Sequence, residues 1–463
     1  MKFGLGFLML AILIGATFEF SWDAEAEALF YPALVILSTE DFSSMNSIVQ
    51  NIQNLGGRVL HIFPTHVLIV EITSNIEGDL LGEDVVGIYK EEVEPTDFEI
   101  YGIDAMMGAE AWNNNFMGGD VDKGLDLPDY PEPEPILEDA RVPPNSGENE
   151  RIGDSPYGAG LNDTSEYMMG VISVTIIFPE SNGTLDPETE DWTSSEESNV
   201  TSEVTAAMNW WGARDSRADL SFIYHFYYSQ ETSYEPISRS SWDEGLWIEE
   251  IMGNLGYNSG DYFDRIYEYL SDTIDSDGSD WGFVIFVVDS SNDSDDSFAN
   301  GAFAYAYIGG PLMVMTYGNN GYGIDDMDSV AAHEMGHIFY ALDQYSSSGC
   351  TCTERSGYLN VENQNCENSC SLNTESIMRG GVTSYTNGSV DSYAREQIGW
   401  RDTDSDGIFD ILDTFPNSIL NPYTPNPTTD NTPTYSGNAI VQPYPNQNPA
   451  VWNDGNDITL NVI

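Results

Sequence analysis

The alternation of apolar and polar residues divides the chain into blocks of different kind. From residue 29 the pattern reads strand, helix, strand, strand, helix, strand. Residues 33–37 form an apolar run. Residues 43–55 put Met45, Ile48, Val49, Ile52 and Leu55 on one helical face, and Gly56-Gly57 stops that helix. Segments 59–63 and 67–72 are strands joined through Pro64, 76–81 is a short helix and 85–89 a last strand. This βαββαβ order predicts a ferredoxin-like α/β unit over 29–100. Periodicity then fades, and 101–167, acidic and rich in proline and glycine, reads as a linker. From 168 to 400 an α/β (α+β) block of ordinary domain size follows. It holds strands at 171–178, 220–228 and 281–288 and helices at 196–213, 246–255, 262–273, 326–342 and 390–399. Residues 303–317 read as an edge strand or a hairpin broken at Gly309-Gly310-Pro311. Residues 401–416 are aspartate-rich. In 417–463 a spacer of Pro, Asn and Thr leads to the first strands of a β-module, expected to be truncated at Ile463.

Charge changes the picture. The 463 residues carry 77 acidic against 14 basic side chains, a formal net charge of −63. Such a surface repels nucleic acid and anionic membranes, which excludes both as partners. Its self-repulsion calls for salt or bound divalent cations. At the N-terminus, Lys2, an apolar run over 3–16 and small residues at Ala24, Ala26 and Ala28 predict a signal peptide over 1–26, with an uncleaved anchor as the alternative. No later stretch is long and apolar enough for a membrane insertion, so the expected location is secreted, extracellular or cell-surface. The four cysteines, Cys350, Cys352, Cys366 and Cys370, are clustered and even in number, which in an exported chain predicts two disulfides. Cys350 and Cys352 are too close to pair with each other, so the pairing is nested or crossed; a structural zinc site is the rival. Five glycosylation sequons, from Asn162 to Asn387, fit an extracytoplasmic surface.

The chemistry concentrates in His333-Glu334-Met335-Gly336-His337. Positions i and i+4 of a helix share a face, so both imidazoles can meet one Zn2+ ion. Glu334 stands where a carboxylate can take a proton from water as general base. Catalytic zinc usually has a third protein ligand. Asp343, ten residues after His333, is the candidate and Glu396 the substitute. His225 has no paired motif and reads as a core or surface residue.

These residues resemble the metzincin zinc metallopeptidases, whose zinc helix reads HExxHxxGxx followed by His or Asp. The ending Asp343-Gln344-Tyr345 is similar to the Asp-Glu-Tyr of the immune-inhibitor-A and immunoglobulin-A metallopeptidases. Here Tyr340 replaces the family glycine and Gln344 the glutamate. Ser376-Ile377-Met378-Arg379-Gly380 resembles the Met-turn, with Gly380 where a tyrosine is common; the resemblance places Met378 beneath the zinc. It also implies a twisted mixed sheet whose strand before the zinc helix is antiparallel to the rest and pairs with extended substrate. The 29–100 unit is similar to the prodomains of subtilisin-type proteases, so it is expected to be an intramolecular inhibitor or a plain accessory domain. Phe116 to Asp120 resembles the element by which astacin propeptides place an aspartate on zinc. The function implied is a secreted zinc endopeptidase, made as a zymogen, acting on peptide or protein substrates. The alternatives are a non-catalytic, calcium-stabilised adhesion protein retaining that fold, and a zinc hydrolase of other substrates.

Finally, Asp402, Asp404, Asp406, Asp410 and Asp413 fall at positions 1, 3, 5, 9 and 12 of a loop with Gly407 at position 6, and Ile408 offers a backbone carbonyl. That is the oxygen spacing of a Ca2+ loop, with Asp at position 12 in place of Glu. It resembles the short aspartate-rich repeats of thrombospondin type 3 and dockerin modules. The acidic loop 289–296 reads as solvated or weakly calcium-binding.

Overall fold

The computed structural model describes residues 29–39, 41–80, 84–117, 160–413 and 416–417, with short backbone segments between 437 and 460. The signal-like segment 1–26, Asp120 and most of both the acidic linker and 417–463 lie outside the described residues.

The N-terminal unit runs β1 (Tyr31–Leu37), α1 (Phe42–Asn54), β2 (Arg58–Phe63), β3 (Val67–Ile72), α2 (Ser74–Leu80) and β4 (Val85–Tyr89). Asp41 caps α1 by accepting from the Ser44 N–H at 2.8 Å. Next comes α3 (Ile103–Trp112), inside the stretch expected to be linker. Ala105, Met107, Ala109, Ala111 and Trp112 of this helix are buried. It is apolar nearly all round, so it has no polar face to announce a helical period.

The larger block follows as β5 (Val171–Ser181), α4 (Ser194–Gly212), β6 (Ser221–Thr232), α5 (Glu244–Asn254), α6 (Tyr262–Asp277), β7 (Trp281–Val288), β8 (Ala304–Ala306), β9 (Leu312–Thr316), α7 (Met327–Ile338), β10 (Arg355–Ser356), β11 (Val361–Glu362), α8 (Val382–Thr386) and α9 (Ser392–Gln397). Capping boxes open α4 at Thr193/Glu196 and α6 at Asp261/Asp264.

Both blocks share one nine-stranded mixed sheet of order β4-β1-β3-β2-β6-β5-β7-β9-β8. β6, β5, β7 and β9 are mutually parallel, and β2 joins β6 in parallel through His61↔Phe222 and Ile62↔Ile223. Helices cover both faces. In β7, Phe283, Ile285 and Val287 enter the core shared with α3, α4 and α7; Val284, Phe286 and Val288 enter that of α5 and α6. A strand buried on both faces reads as the continuous apolar run seen at 281–288.

The 29–100 unit adds its four strands to the sheet edge far from β8 and β9, against which α7 packs. The sheet crosses the expected domain boundary because β2 and β6 pair along their edges. One expectation needs correction. The last strand before α7, β9, is parallel to β7 and internal, and the antiparallel edge strand is β8.

Candidate metal centre

All twelve residues of α7 are buried, including Asp328, His333, Glu334 and His337. The helix lies against α4, where the Trp211 indole N–H donates to the Ala332 carbonyl at 2.9 Å. Gly336 faces Met378 so closely that a β-carbon there would sit 2.5 Å from the Met378 sulfur. Met378 therefore lies directly against α7, and the small residue at 336 permits it.

The Nδ1 of His333 is 2.8 Å from the Ile377 carbonyl, and that of His337 is 2.7 Å from the Ala341 carbonyl. A carbonyl only accepts, so each imidazole donates through Nδ1 and turns the Nε2 lone pair inward. The two Nε2 atoms are 3.1 Å apart. Asp343 Oδ1 lies 3.2 Å from the Nε2 of His333 and 3.1 Å from that of His337. Ligand atoms about 2.0–2.1 Å from a tetrahedral zinc are separated by about 3.3 Å, close to this triangle. These three ligand atoms converge, all are buried, and together they could hold a cation. For Asp343, burial works upward, but the adjacent His337 and His333 hold its carboxyl well below the usual range. For His337, burial works downward, and the Asp343 charge together with the Ala341 carbonyl outweighs it, leaving a net upward shift. Glu334, next along the helix from His333, is 1% exposed.

Asp343 thus joins the histidines. Glu396 is half-buried on α9, where burial, then Arg401, Asp410 and Asp391, set its titration. The turn between helix and ligand keeps the conformation a glycine would give: Tyr340 takes φ 72°, and its hydroxyl donates to Glu166 Oε1 at 3.2 Å. Burial, then the Glu166 charge, keeps that phenol protonated far above its ordinary range.

The cysteines pair crosswise, Cys350–Cys366 and Cys352–Cys370. His225 Nε2 lies 2.7 Å from Asp277 Oδ2, away from the metal group. Sequence reasoning missed three buried amides near Asp343, namely Asn363, Asn365 and Gln397. Their type carries no signal, because asparagine and glutamine are ordinarily surface residues.

In the aspartate-rich loop the carboxylates of Asp402, Asp404 and Asp406 converge. One oxygen of each, Oδ1 of Asp402 and Oδ2 of Asp404 and Asp406, is buried without a hydrogen-bond donor. Gly407 takes φ 98° and gives its N–H to Asp402 at 3.1 Å. Ile408 donates its N–H to Asp406 at 2.9 Å, and Asp413 is buried. Asp410 accepts from Arg401 Nε at 2.5 Å and from the Thr403 N–H and hydroxyl, each at 2.7 Å, and so fastens the loop. A third carboxylate group, Glu180, Glu188 and Asp191, has two exposed members. Among the described residues no helix is long and apolar enough to cross a membrane.

No family model matches the chain, and no curated protein matches it.

Proposed function

We propose that the chain is a secreted zinc endopeptidase with a metzincin-like catalytic domain over 168–400. The observation that carries this reading is the buried triangle of His333 Nε2, His337 Nε2 and Asp343 Oδ1, with sides of 3.1–3.2 Å and both imidazoles fixed through Nδ1. Zinc held there would bring the pKa of a water toward neutrality and polarise a scissile carbonyl. Glu334 accepts the proton of the attacking water and returns it to the leaving amine. Ile377 and Ala341 keep each imidazole in its ligating tautomer, and Met378 packs beneath the helix. The crossed disulfides support an oxidising, extracytoplasmic setting. The loop at Asp402, Asp404 and Asp406 binds Ca2+ and steadies the C-terminal side of the domain. The N-terminal unit is an integral half of the sheet and acts as an accessory scaffold.

The test is Glu334→Gln. This variant keeps the fold and the ligands, and casein hydrolysis should fall by at least about a hundredfold, the usual contribution of a general base. Casein cleavage at the wild-type rate would overturn the mechanism.

A further inference from the structure

His333 and His337 are placed by a buried helix, whereas Asp343 lies in coil beyond its end. Something else must bring its carboxylate within 3.2 Å of both rings. We infer that Asn363, carried by the disulfide-stapled loop, is the positioning residue that delivers Asp343, so the high-affinity metal site is complete only once the disulfides have formed. This rests on the zinc reading above.

The segment 342–344 is tied from outside α7. The Leu342 N–H donates to Gln397 Oε1 at 3.0 Å and the Gln344 N–H to the Met378 carbonyl at 2.8 Å. The other anchors come from the loop. Asn363 Nδ2 donates to the Asp343 carbonyl at 2.7 Å, the Glu367 N–H to the Gln344 carbonyl at 2.8 Å, and Asn365 Nδ2 to Gln344 Oε1 at 2.8 Å. The last bond ties the Gln344 side chain to the loop. Asn363 and Asn365 are both 0% exposed. Only Asn363 grips the ligand residue itself, and removing its donor strands a buried carbonyl.

Both amides lie within both disulfide rings, which span 16 and 18 residues in sequence. The only strand pairing in this loop is two residues each of β10 and β11. Val361 and Cys366 are its buried apolar side chains, and Tyr358 and Leu359 pack partly buried against the core. So little apolar burial does not offset the entropy of ordering such a loop, and the cross-links reduce that cost by restricting the unfolded chain. Before oxidation the histidines remain on their helix, but the third ligand loses its guide. A peptidase built this way binds metal weakly in a reducing compartment and gains its site after export.

The experiment measures zinc affinity by competition with a chromogenic chelator, using the full chain. The set is wild type, Asp343→Ala, Asn363→Ala, Asn363→Asp and Asn363→Ala/Asp343→Ala. Loss of a residue that orients a ligand typically weakens metal binding about 10–100-fold, and both Asn363 variants should fall in that range. Asn363→Asp keeps the side-chain volume without the donor, so it separates positioning from cavity formation. The double variant should bind within about twofold of Asp343→Ala, because the two residues act through one contact. Wild type treated with a phosphine reductant, its helical circular dichroism intact, should fall to the affinity of Asp343→Ala. Wild-type affinity in either Asn363 variant or in the reduced chain, or additive losses in the double variant, would overturn the inference. Failure of wild type to bind zinc at all would instead overturn the metal reading on which it rests.

Discussion

Tyr340 stands so close over Gly309 that a β-carbon on the glycine would lie 2.5 Å from the tyrosine ring. Gly309 takes φ 80° and Tyr340 φ 72°, so two left-handed residues face each other where α7 gives way to the segment bearing Asp343. The Gly309 N–H donates to the His337 carbonyl at 3.0 Å, tying the hairpin to the end of α7. Gly309→Ala therefore brings both backbone strain and a clash, and should destabilise the protein by about 2–3 kcal/mol in urea unfolding. In a Tyr340→Gly background the clash is absent, and the same substitution should cost only about 1 kcal/mol. Equal costs in the two backgrounds would show that the Tyr340 ring does not press on position 309.

Calcium should stabilise the whole block. Arg217 bridges Asp402 and Asp215, each at 2.7 Å. Trp400 stacks on Phe409 and meets Trp211 edge-on at 5.8 Å, and Trp211 bonds to Ala332 of α7. At a calcium concentration a hundredfold above Kd, binding adds about 2.7 kcal/mol. Calorimetry should show Tm rising with calcium in wild type and unmoved in Asp404→Asn/Asp406→Asn. A wild-type Tm independent of calcium would remove the loop from the account.

His61 predicts an acid-side weakness in the seam between the two halves of the sheet. It is 1% exposed, its Nδ1 is 2.9 Å from the Tyr224 hydroxyl, and burial, opposed more weakly by Asn209, lowers its pKa to about 3. The unfolded chain takes up this proton near pH 6.5, the folded chain only near 3. Stability is thus unaffected by this group above pH 6.5 and falls as pH drops from 6.5 toward 3, by up to about 1.4 kcal/mol per pH unit. His61→Phe should flatten unfolding free energy against pH between 6 and 4 relative to wild type. Parallel curves would show that the folded and unfolded chains protonate His61 at the same pH.

Much of the candidate site's geometry was legible in the sequence. Two imidazoles a helical turn apart need only a helix, and the pattern around His333 and His337 supplied one. Asp343 was a candidate from its place after the helix, and Met378 came only from the resemblance to the Met-turn; their neighbours did not follow from either. Asn363 and Gln397 act through backbone carbonyls and N–H groups, which no residue pattern records. The helix at 103–112 hid because apolar residues lie nearly all round it, which erases amphipathic periodicity. The βαββαβ order of the first unit was readable from local pattern, but its fusion to β6 depends on an edge-to-edge match between strands about 160 residues apart in sequence, beyond any local window. Asp410 fitted the calcium spacing and accepts from Arg401 and Thr403; spacing fixes where a carboxylate lies and not which partner it takes.

Elemental analysis of the oxidised, purified chain tests the central claim most directly. Wild type and Glu334→Gln should each carry stoichiometric zinc after dialysis against metal-free buffer, and His333→Ala/His337→Ala should carry none. Wild type without bound zinc, or the double histidine variant retaining it in full, would contradict the assignment of this pocket.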